Sequence, residues 1–232
     1  MNIDILPDAD ALAQSIAERL TTLVAGLQAQ ERTPRIVLTG GTIAAAAYEK
    51  IDAGSADWSD VDFWFGDERF VPEGHADRND QQARDALLDR VGAMRVHSVA
   101  GNDCSLSAAE AADQYAGTLP DEPFDVVLLG LGPDGHVASL FPHHEQLHEE
   151  DRDCVELFDS PKPPPVRISM TFPALNHTES VWFLVSGAEK ADAVARALAN
   201  EGSVDETPAR GARGLQETRW LLDEEAASAH QT

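Results

Sequence analysis

The run Phe124-Asp125-Val126-Val127-Leu128-Leu129 passes without a break into Gly130-Leu131-Gly132-Pro133-Asp134-Gly135-His136, and no other stretch constrains the fold as tightly. A short strand apolar on both faces is stable only where helices cover a sheet from both sides, which is the usual situation of a parallel sheet. The glycines that follow place a loop rich in accessible backbone at the carboxyl end of that strand, where open α/β sheets bind their ligands. The rest of the chain alternates in the same sense. Apolar residues at helical spacing predict a helix over 8–29, and a β-type run at 35–39 leads through Gly40-Gly41-Thr42 into an Ala-rich helix reaching about residue 50. A strand at 61–65, a polar loop at 66–79 and a helix at about 80–91 form a second such unit. Ser107 with Glu110 three residues on has the capping-box pattern of a helix start. Past a proline-rich break at 160–165, the chain resumes at 167–171 and gives a strand at 180–185, a helix at 188–199 and a last strand at 219–222. This alternation predicts an α/β fold with a largely parallel sheet. At 232 residues the chain fits one domain, 1–232, and no internal repeat is found.

The formal net charge of -24 sets up a field that repels polyanions, so nucleic acid and anionic membrane surfaces are excluded as partners. An anionic ligand must then be caught by a local group of cations, drawn from 14 Arg and 3 Lys. No apolar run approaches the roughly 20 residues of a membrane span. The start Met1-Asn2-Ile3-Asp4 lacks the basic character of a secretory signal, and a cytoplasmic location is expected. Cys104 and Cys154 form no Cys-x-x-Cys motif and read as packing residues.

Several motifs admit a chemical reading beside a plain one. The turn Gly40-Gly41-Thr42 between strand and helix suits a phosphate, because glycine lets backbone N–H groups approach an anion at the positive end of a helix; steric need in a tight turn also explains it. The segment Gly66-Asp67-Glu68-Arg69-Phe70-Val71-Pro72 puts three adjacent charges after an aromatic strand. Arg69 offers a planar fork for phosphate, with Arg78 a short loop away. Gly130-x-Gly132-x-x-Gly135 spells a dinucleotide fingerprint, but Pro142 follows too soon for the helix that motif requires. His144-Glu145-Gln146-Leu147-His148 spells a zinc-protease helix, yet it sits in a short acidic segment after Pro142 and reads as a surface histidine cluster. His136 closes the glycine loop at the end of the most buried strand, with Asp134 two residues before it. It is the histidine best placed for acid–base chemistry.

Taken together, GDERFVP at 66–72, GLGPDGHVASLFP at 130–142 and SGAEK at 186–190 resemble the 6-phosphogluconolactonase family. TGGT at 39–42, SPKPPPVRISMTFPALN from 160 and the late WLLDEEAA extend the likeness over most of the chain. The related glucosamine-6-phosphate deaminases share a Gly-x-Gly-x-Asp-Gly-His loop but continue towards Asn-Glu-Pro, where this chain has Ser139-Leu140-Phe141-Pro142; a deaminase-type sugar-phosphate enzyme is the alternative. The resemblance implies a Rossmann-like sheet of the deaminase and ribose-phosphate isomerase group. It also implies hydrolysis of 6-phospho-D-glucono-1,5-lactone in the oxidative pentose phosphate pathway, with no metal or organic cofactor. Under it His136 is the general base, and either Asp67 or Asp134 orients it. Gly40, Gly41, Thr42, Arg69 and Lys190 hold the phosphate, with Gly135, Arg78 and Arg167 as further contacts. Attack by Ser139 or a cysteine is the rival route. A sugar-phosphate-binding regulator would carry a DNA-binding module, for which this chain has no spare length. The partner is a small phosphosugar lactone, and the chain is expected to act as a monomer or weak dimer.

Overall fold

The computed structural model describes residues 1–54 and 56–230. Its strands are β1 (Asn2–Leu6), β2 (Arg35–Leu38), β3 (Asp62–Phe65), β4 (Asp67–Arg69), β5 (Arg95–Val96), β6 (Phe124–Leu129), β7 (Cys154–Leu157), β8 (Arg167–Met170), β9 (Thr178–Val185) and β10 (Glu217–Asp223). The helices are α1 (Ala9–Gln28), α2 (Thr42–Lys50), α3 (Asn79–Ala83), α4 (Ala108–Ala116), α5 (Phe172–Asn176), α6 (Ala191–Leu198) and α7 (Glu224–Ala227). Seven strands form one sheet in the order β1-β10-β9-β6-β2-β3-β5, parallel at every pairing. A small antiparallel sheet, β4-β8-β7, stands beside it.

The twofold alternation of a strand sorts the core onto two faces. Val127 and Leu129 of β6 pack on the face covered by α4, whereas Val126 and Leu128 join Leu12, Ile16 and Leu20 of α1 on the other. Every residue of β6 is buried, as its composition demands. Each large aliphatic side chain so buried contributes about 1.5–3 kcal/mol. The helix starts are set locally: Asp8 accepts the Ala11 N–H at 2.8 Å to begin α1, and Ser107 and Glu110 form the expected capping box of α4.

Strand order fixes where a ligand can enter. From β2 the chain steps to β3 and β5 on one side, then returns to β6 on the other and continues outward to β9 and β10. The connections therefore diverge between β2 and β6, and a crevice opens beyond their carboxyl ends. The residue 40–42 turn leaves β2 there, and the residue 130–136 loop leaves β6.

Several expectations need correction. The N-terminal strand β1 was not foreseen. The loop expected at 66–79 contains β4, and the segment resuming at 167 belongs to the small antiparallel sheet. The helix expected to about 91 is α3 followed by one π-type turn, Arg84–Leu88. Cys154 is buried, but Cys104 is exposed and does not pack. No helix among the described residues is long and apolar enough to cross a membrane.

Candidate active site

A cavity of about 740 Å³ occupies the crevice, walled by the turn after β2, the loop after β6, the turn after β9, strand β4 and Lys162. Of the residues singled out in the sequence, Gly40, Gly41, Thr42, Asp67, Arg69, His136, Arg167 and Lys190 line it.

The loop after β6 folds back on itself. Gly135 N–H donates to the Gly132 carbonyl at 2.9 Å, and Gly132 N–H donates to the His136 carbonyl at 2.9 Å, which swings the His136 ring over Gly132. A Cβ on Gly132 would stand 1.9 Å from His136 Nδ1 and 2.4 Å from Asp134 Oδ1, so only glycine fits beneath the pair. Gly135 has a φ of +92° and faces Thr207, outside the cavity lining, which makes it a turn residue and not the substrate contact the resemblance suggested. The loop is braced from outside by Ala209 N–H on the Gly135 carbonyl and by Arg196 on the Pro133 carbonyl.

His136 Nδ1 lies 2.6 Å from Asp134 Oδ1. An ionised carboxylate can only accept, so Nδ1 carries the proton and Nε2 keeps its lone pair for chemistry. Burial alone would raise the Asp134 carboxyl, but the hydrogen bond and charge of His136, with Lys162 nearby, outweigh it and bring it down to about 2. The acid is therefore charged throughout the working range. Because the folded-state value is depressed, this contact stabilises the fold above the usual carboxylate range, and that contribution is lost as pH falls through about 2. Above about pH 4 no limb of the pH–rate profile should belong to Asp134, which profiles of wild type and Asp134→Asn can check.

Asp67, the other acid considered for orienting His136, is engaged elsewhere. Its Oδ2 accepts from Ser139 Oγ at 2.5 Å and its Oδ1 accepts from Asn79 Nδ2 at 3.0 Å. Ser139 is fully buried with its hydroxyl committed to Asp67, and it does not line the cavity. That arrangement gives no support to Ser139 as a nucleophile.

Arg78 is a correction of a different kind. Sequence proximity put it beside Arg69, but its side chain is completely buried behind β4. It makes two bonds of 2.8 and 2.9 Å to Asp80, donates to the Val99 carbonyl at 2.6 Å and lies 3.9 Å from buried Glu68. Glu68 in turn caps the start of α3 by accepting the Asn79 and Asp80 N–H groups. Arg78 is outside the cavity, and its donors go to the fold. Removing it strands two buried acids, so Arg78→Met should lower stability by about 3–5 kcal/mol in chemical denaturation while the folded fraction keeps its affinity for phosphate. A stable variant with weakened phosphate binding would return Arg78 to the site.

The cavity's own cations have few acidic partners. Arg69 and Arg167 are directly opposite each other across β4 and β8, a like-charge pairing that destabilises a sheet. Arg167 is buried and its guanidinium braces the proline-rich loop through the Lys162 and Pro164 carbonyls at 3.1 and 3.2 Å. Burial lowers its pKa and nearby Arg69 adds to the effect, while Asp67 opposes it. Lys190 is likewise held below its ordinary value, first by burial and then by Lys162. Ser186 and Gly187 bond to Asp223 at the end of β10, which fixes the turn that carries Lys190. Two of the chain's three lysines thus meet in one cavity of a strongly acidic protein. At the mouth of α2, Gly41 (φ +104°) occupies the N-cap position and supplies no side-chain acceptor, so the first-turn N–H groups are left for a ligand. Lys162 and Asn79 were not singled out in the sequence.

The two motif alternatives fare poorly in space. After Gly135 the chain forms turns and the short Glu145–His148 3-10 helix, not the long helix of a dinucleotide fold. His144 lies 3.7 Å from Asp159, whereas His148 faces Asp205, so the two histidines of the metal-like spelling turn to different acids.

Comparison with known proteins agrees with the arrangement. A family profile described as "Glucosamine-6-phosphate isomerases/6-phosphogluconolactonase" matches residues 7–220. A 6-phosphogluconolactonase of Streptomyces coelicolor is 44% identical over 239 residues, covering 95% of this chain and 91% of the relative. One from Mycobacterium tuberculosis is 44% identical over 98% of this chain and 97% of its own length. Among solved structures, 6-phosphogluconolactonase from Thermotoga maritima superposes with a TM-score of 0.83 at 29% identity, covering 96% of this chain and 99% of that one. A monomeric glucosamine-6-phosphate deaminase shares the fold, with a TM-score of 0.81 at 20% identity over 99% of this chain and 100% of its own.

Proposed function

The chain belongs to the glucosamine-6-phosphate isomerase/6-phosphogluconolactonase family, and from that premise we propose that it hydrolyses 6-phospho-D-glucono-1,5-lactone to 6-phospho-D-gluconate in the oxidative pentose phosphate pathway, with His136 as general base. The observation that carries the reading is the His136–Asp134 pair on the wall of a cation-lined cavity. A lactone carbonyl needs a positioned water, a base and stabilisation of the oxyanion, and His136, oriented by Asp134, supplies the base.

Nε2 of His136 takes a proton as water oxygen bonds to C1. Asp134 holds the ring in the tautomer that leaves Nε2 free and stabilises the imidazolium that forms. The tetrahedral oxyanion collapses by breaking the bond between C1 and the ring oxygen, and the imidazolium returns its proton to that oxygen. The products are a C5 hydroxyl and a carboxyl group that ionises. Phe141 packs against the His136 ring at 4.5 Å between centroids and restricts it during both transfers. Arg69, Arg167, Lys162 and Lys190, with the residue 40–42 turn, hold the phosphate. This concentration of positive charge answers the problem that the acidity of the whole chain poses. The chain acts as one domain, 1–232, in the cytoplasm, as a monomer or weak dimer.

Phosphate recognition is the part most open to test. Lys162→Ala and Lys190→Ala should each raise KM for the phosphorylated lactone by about tenfold or more with kcat changed little, because they remove binding energy common to ground and transition states. Wild type should also prefer this lactone to unphosphorylated glucono-1,5-lactone by at least about 10²-fold in kcat/KM. Equal use of the two lactones would refute phosphate recognition by these cations.

A further inference from the structure

Asn79 opens α3 and contributes to the cavity wall, although its residue is only 2% exposed. Its amide orientation is set by neighbours that can only accept: Nδ2 donates to the Asp67 carbonyl at 2.8 Å and to Asp67 Oδ1 at 3.0 Å. Turning the amide over would set Oδ1 against both oxygens, so the assignment is determined by chemistry. Oδ1 therefore points the other way, towards Gly40, where it fills the space a Cβ would need; a Cβ built on Gly40 would be 2.0 Å away. In that position Oδ1 is buried and has no hydrogen-bond partner.

A buried amide acceptor without a donor loses its hydration with nothing in return, and proteins seldom keep one unless something else completes it. Three features show that this one is built. Asp67 exists in its present rotamer because Ser139 and Asn79 hold both its oxygens. Glu68 pins the Asn79 backbone at 2.7 Å. Gly40 leaves the space that Oδ1 occupies. The cavity next to it carries arginines, lysines and helix N–H groups, which suit a phosphate, and its carboxylates Asp67 and Asp10 are already engaged by Ser139 and Asn79 and by Lys50, with Glu189 the remaining acid of the lining. A sugar hydroxyl, by contrast, needs an acceptor for its proton, and of the two buried side-chain atoms left without a partner among the described residues of this wall, Arg69 Nε is a donor and Asn79 Oδ1 is the acceptor.

We propose that Asn79 is a specificity-determining residue whose Oδ1 accepts a hydrogen bond from a ring hydroxyl of the lactone, so that the site selects polyhydroxylated sugar lactones over deoxy analogues. This rests on the hydrolysis reading above and deepens it. The asymmetry of such a contact is large: a ligand that lacks the hydroxyl leaves the buried acceptor unpaired and is rejected, whereas an open pocket would scarcely notice.

The test is a mutant cycle on substrate as well as enzyme. Lactone 6-phosphates lacking the hydroxyl at C2, C3 or C4 are compared with the full substrate, on wild type, Asn79→Ala and Asn79→Asp. In wild type one of the three analogues should lose about ten- to hundredfold in kcat/KM. For that analogue the loss should shrink to within about threefold in Asn79→Ala. Asn79→Asp keeps an oxygen in place of Oδ1 and should retain the discrimination, although repulsion from Asp67 lowers kcat on every substrate. If Asn79 only props Asp67, both variants slow all four lactones by one common factor and the ratios stay as in wild type; that result overturns the proposal. Should Asn79→Ala fail to fold, the near-isosteric Asn79→Leu, which also lacks the acceptor, takes its place: a ratio within about threefold of one supports the assignment and a wild-type ratio overturns it. Failure of wild type to hydrolyse the full lactone is a separate result, because it removes the hydrolysis reading itself.

Discussion

His136→Ala should lose about 10²–10⁴ in kcat on the phosphorylated lactone, the ordinary value of a general base at neutral pH, with KM changed far less. The split follows from geometry. The cations proposed to hold the phosphate stand on strands β4 and β8, on the proline-rich loop and on the turn after β9, none of which needs the imidazole to hold its shape. Asp134 provides the internal check. In the proposed mechanism it acts only through His136, so Asp134→Asn should lower kcat in the wild-type background and have little further effect once His136 is alanine. Steady-state kinetics on the two single variants and the double variant measure this directly. If Asp134→Asn cost as much in the His136→Ala background as alone, Asp134 would touch the substrate itself and the assignment of roles would be wrong.

The second large effect comes from a residue with no functional group. Gly132→Ala would place a methyl group 1.9 Å from His136 Nδ1 and 2.4 Å from Asp134 Oδ1, closer than any real contact. One of the two must move, and a displacement of about 1 Å in a catalytic group can cost about 10²-fold. The change is local to a surface-facing loop, so thermal unfolding should shift by only a few degrees while kcat falls by about two orders of magnitude. KM should again hold. Retention of kcat within about threefold would mean that the His136–Asp134 contact is not needed for turnover. Gly135→Ala, by comparison, meets Thr207 and a positive φ, and should act mainly on stability.

These effects also mark how far the sequence could be read. The loop after β6 was legible because its signals are local: a fully apolar strand, three glycines and one histidine within a few residues. The pairing of His136 with Asp134 was left open against Asp67 because both acids are close to strand ends, and only the hydrogen-bond partners of Asp67 decide between them. Strand β1 gives little signal because it lies at a sheet edge, where none of its five residues is buried. The small sheet β4-β8-β7 escaped for another reason. Its strands are three or four residues long, and β4 meets β8 across about 100 residues of chain, a pairing that no local pattern encodes. Arg78 shows that closeness in sequence is not closeness in the site: nine residues after Arg69, its guanidinium is buried against Asp80 and the Val99 carbonyl, outside the cavity. Lys162 was passed over inside a segment read as a break. Its one available signal was rarity, as one of only three lysines in a chain of net charge -24. Asn79 carries no sequence signal, because the acceptor its proposed role rests on is left unpaired only by the tertiary fold.

The measurement that tests the central claim most directly follows the phosphorylated lactone itself, generated from glucose 6-phosphate, against its spontaneous hydrolysis, with release of ammonium from glucosamine 6-phosphate assayed on the same preparation. Wild type should accelerate loss of the lactone far beyond the blank and release no ammonium. A lactone trace that coincides with the blank, together with ammonium release, would contradict it and assign the cavity to deamination.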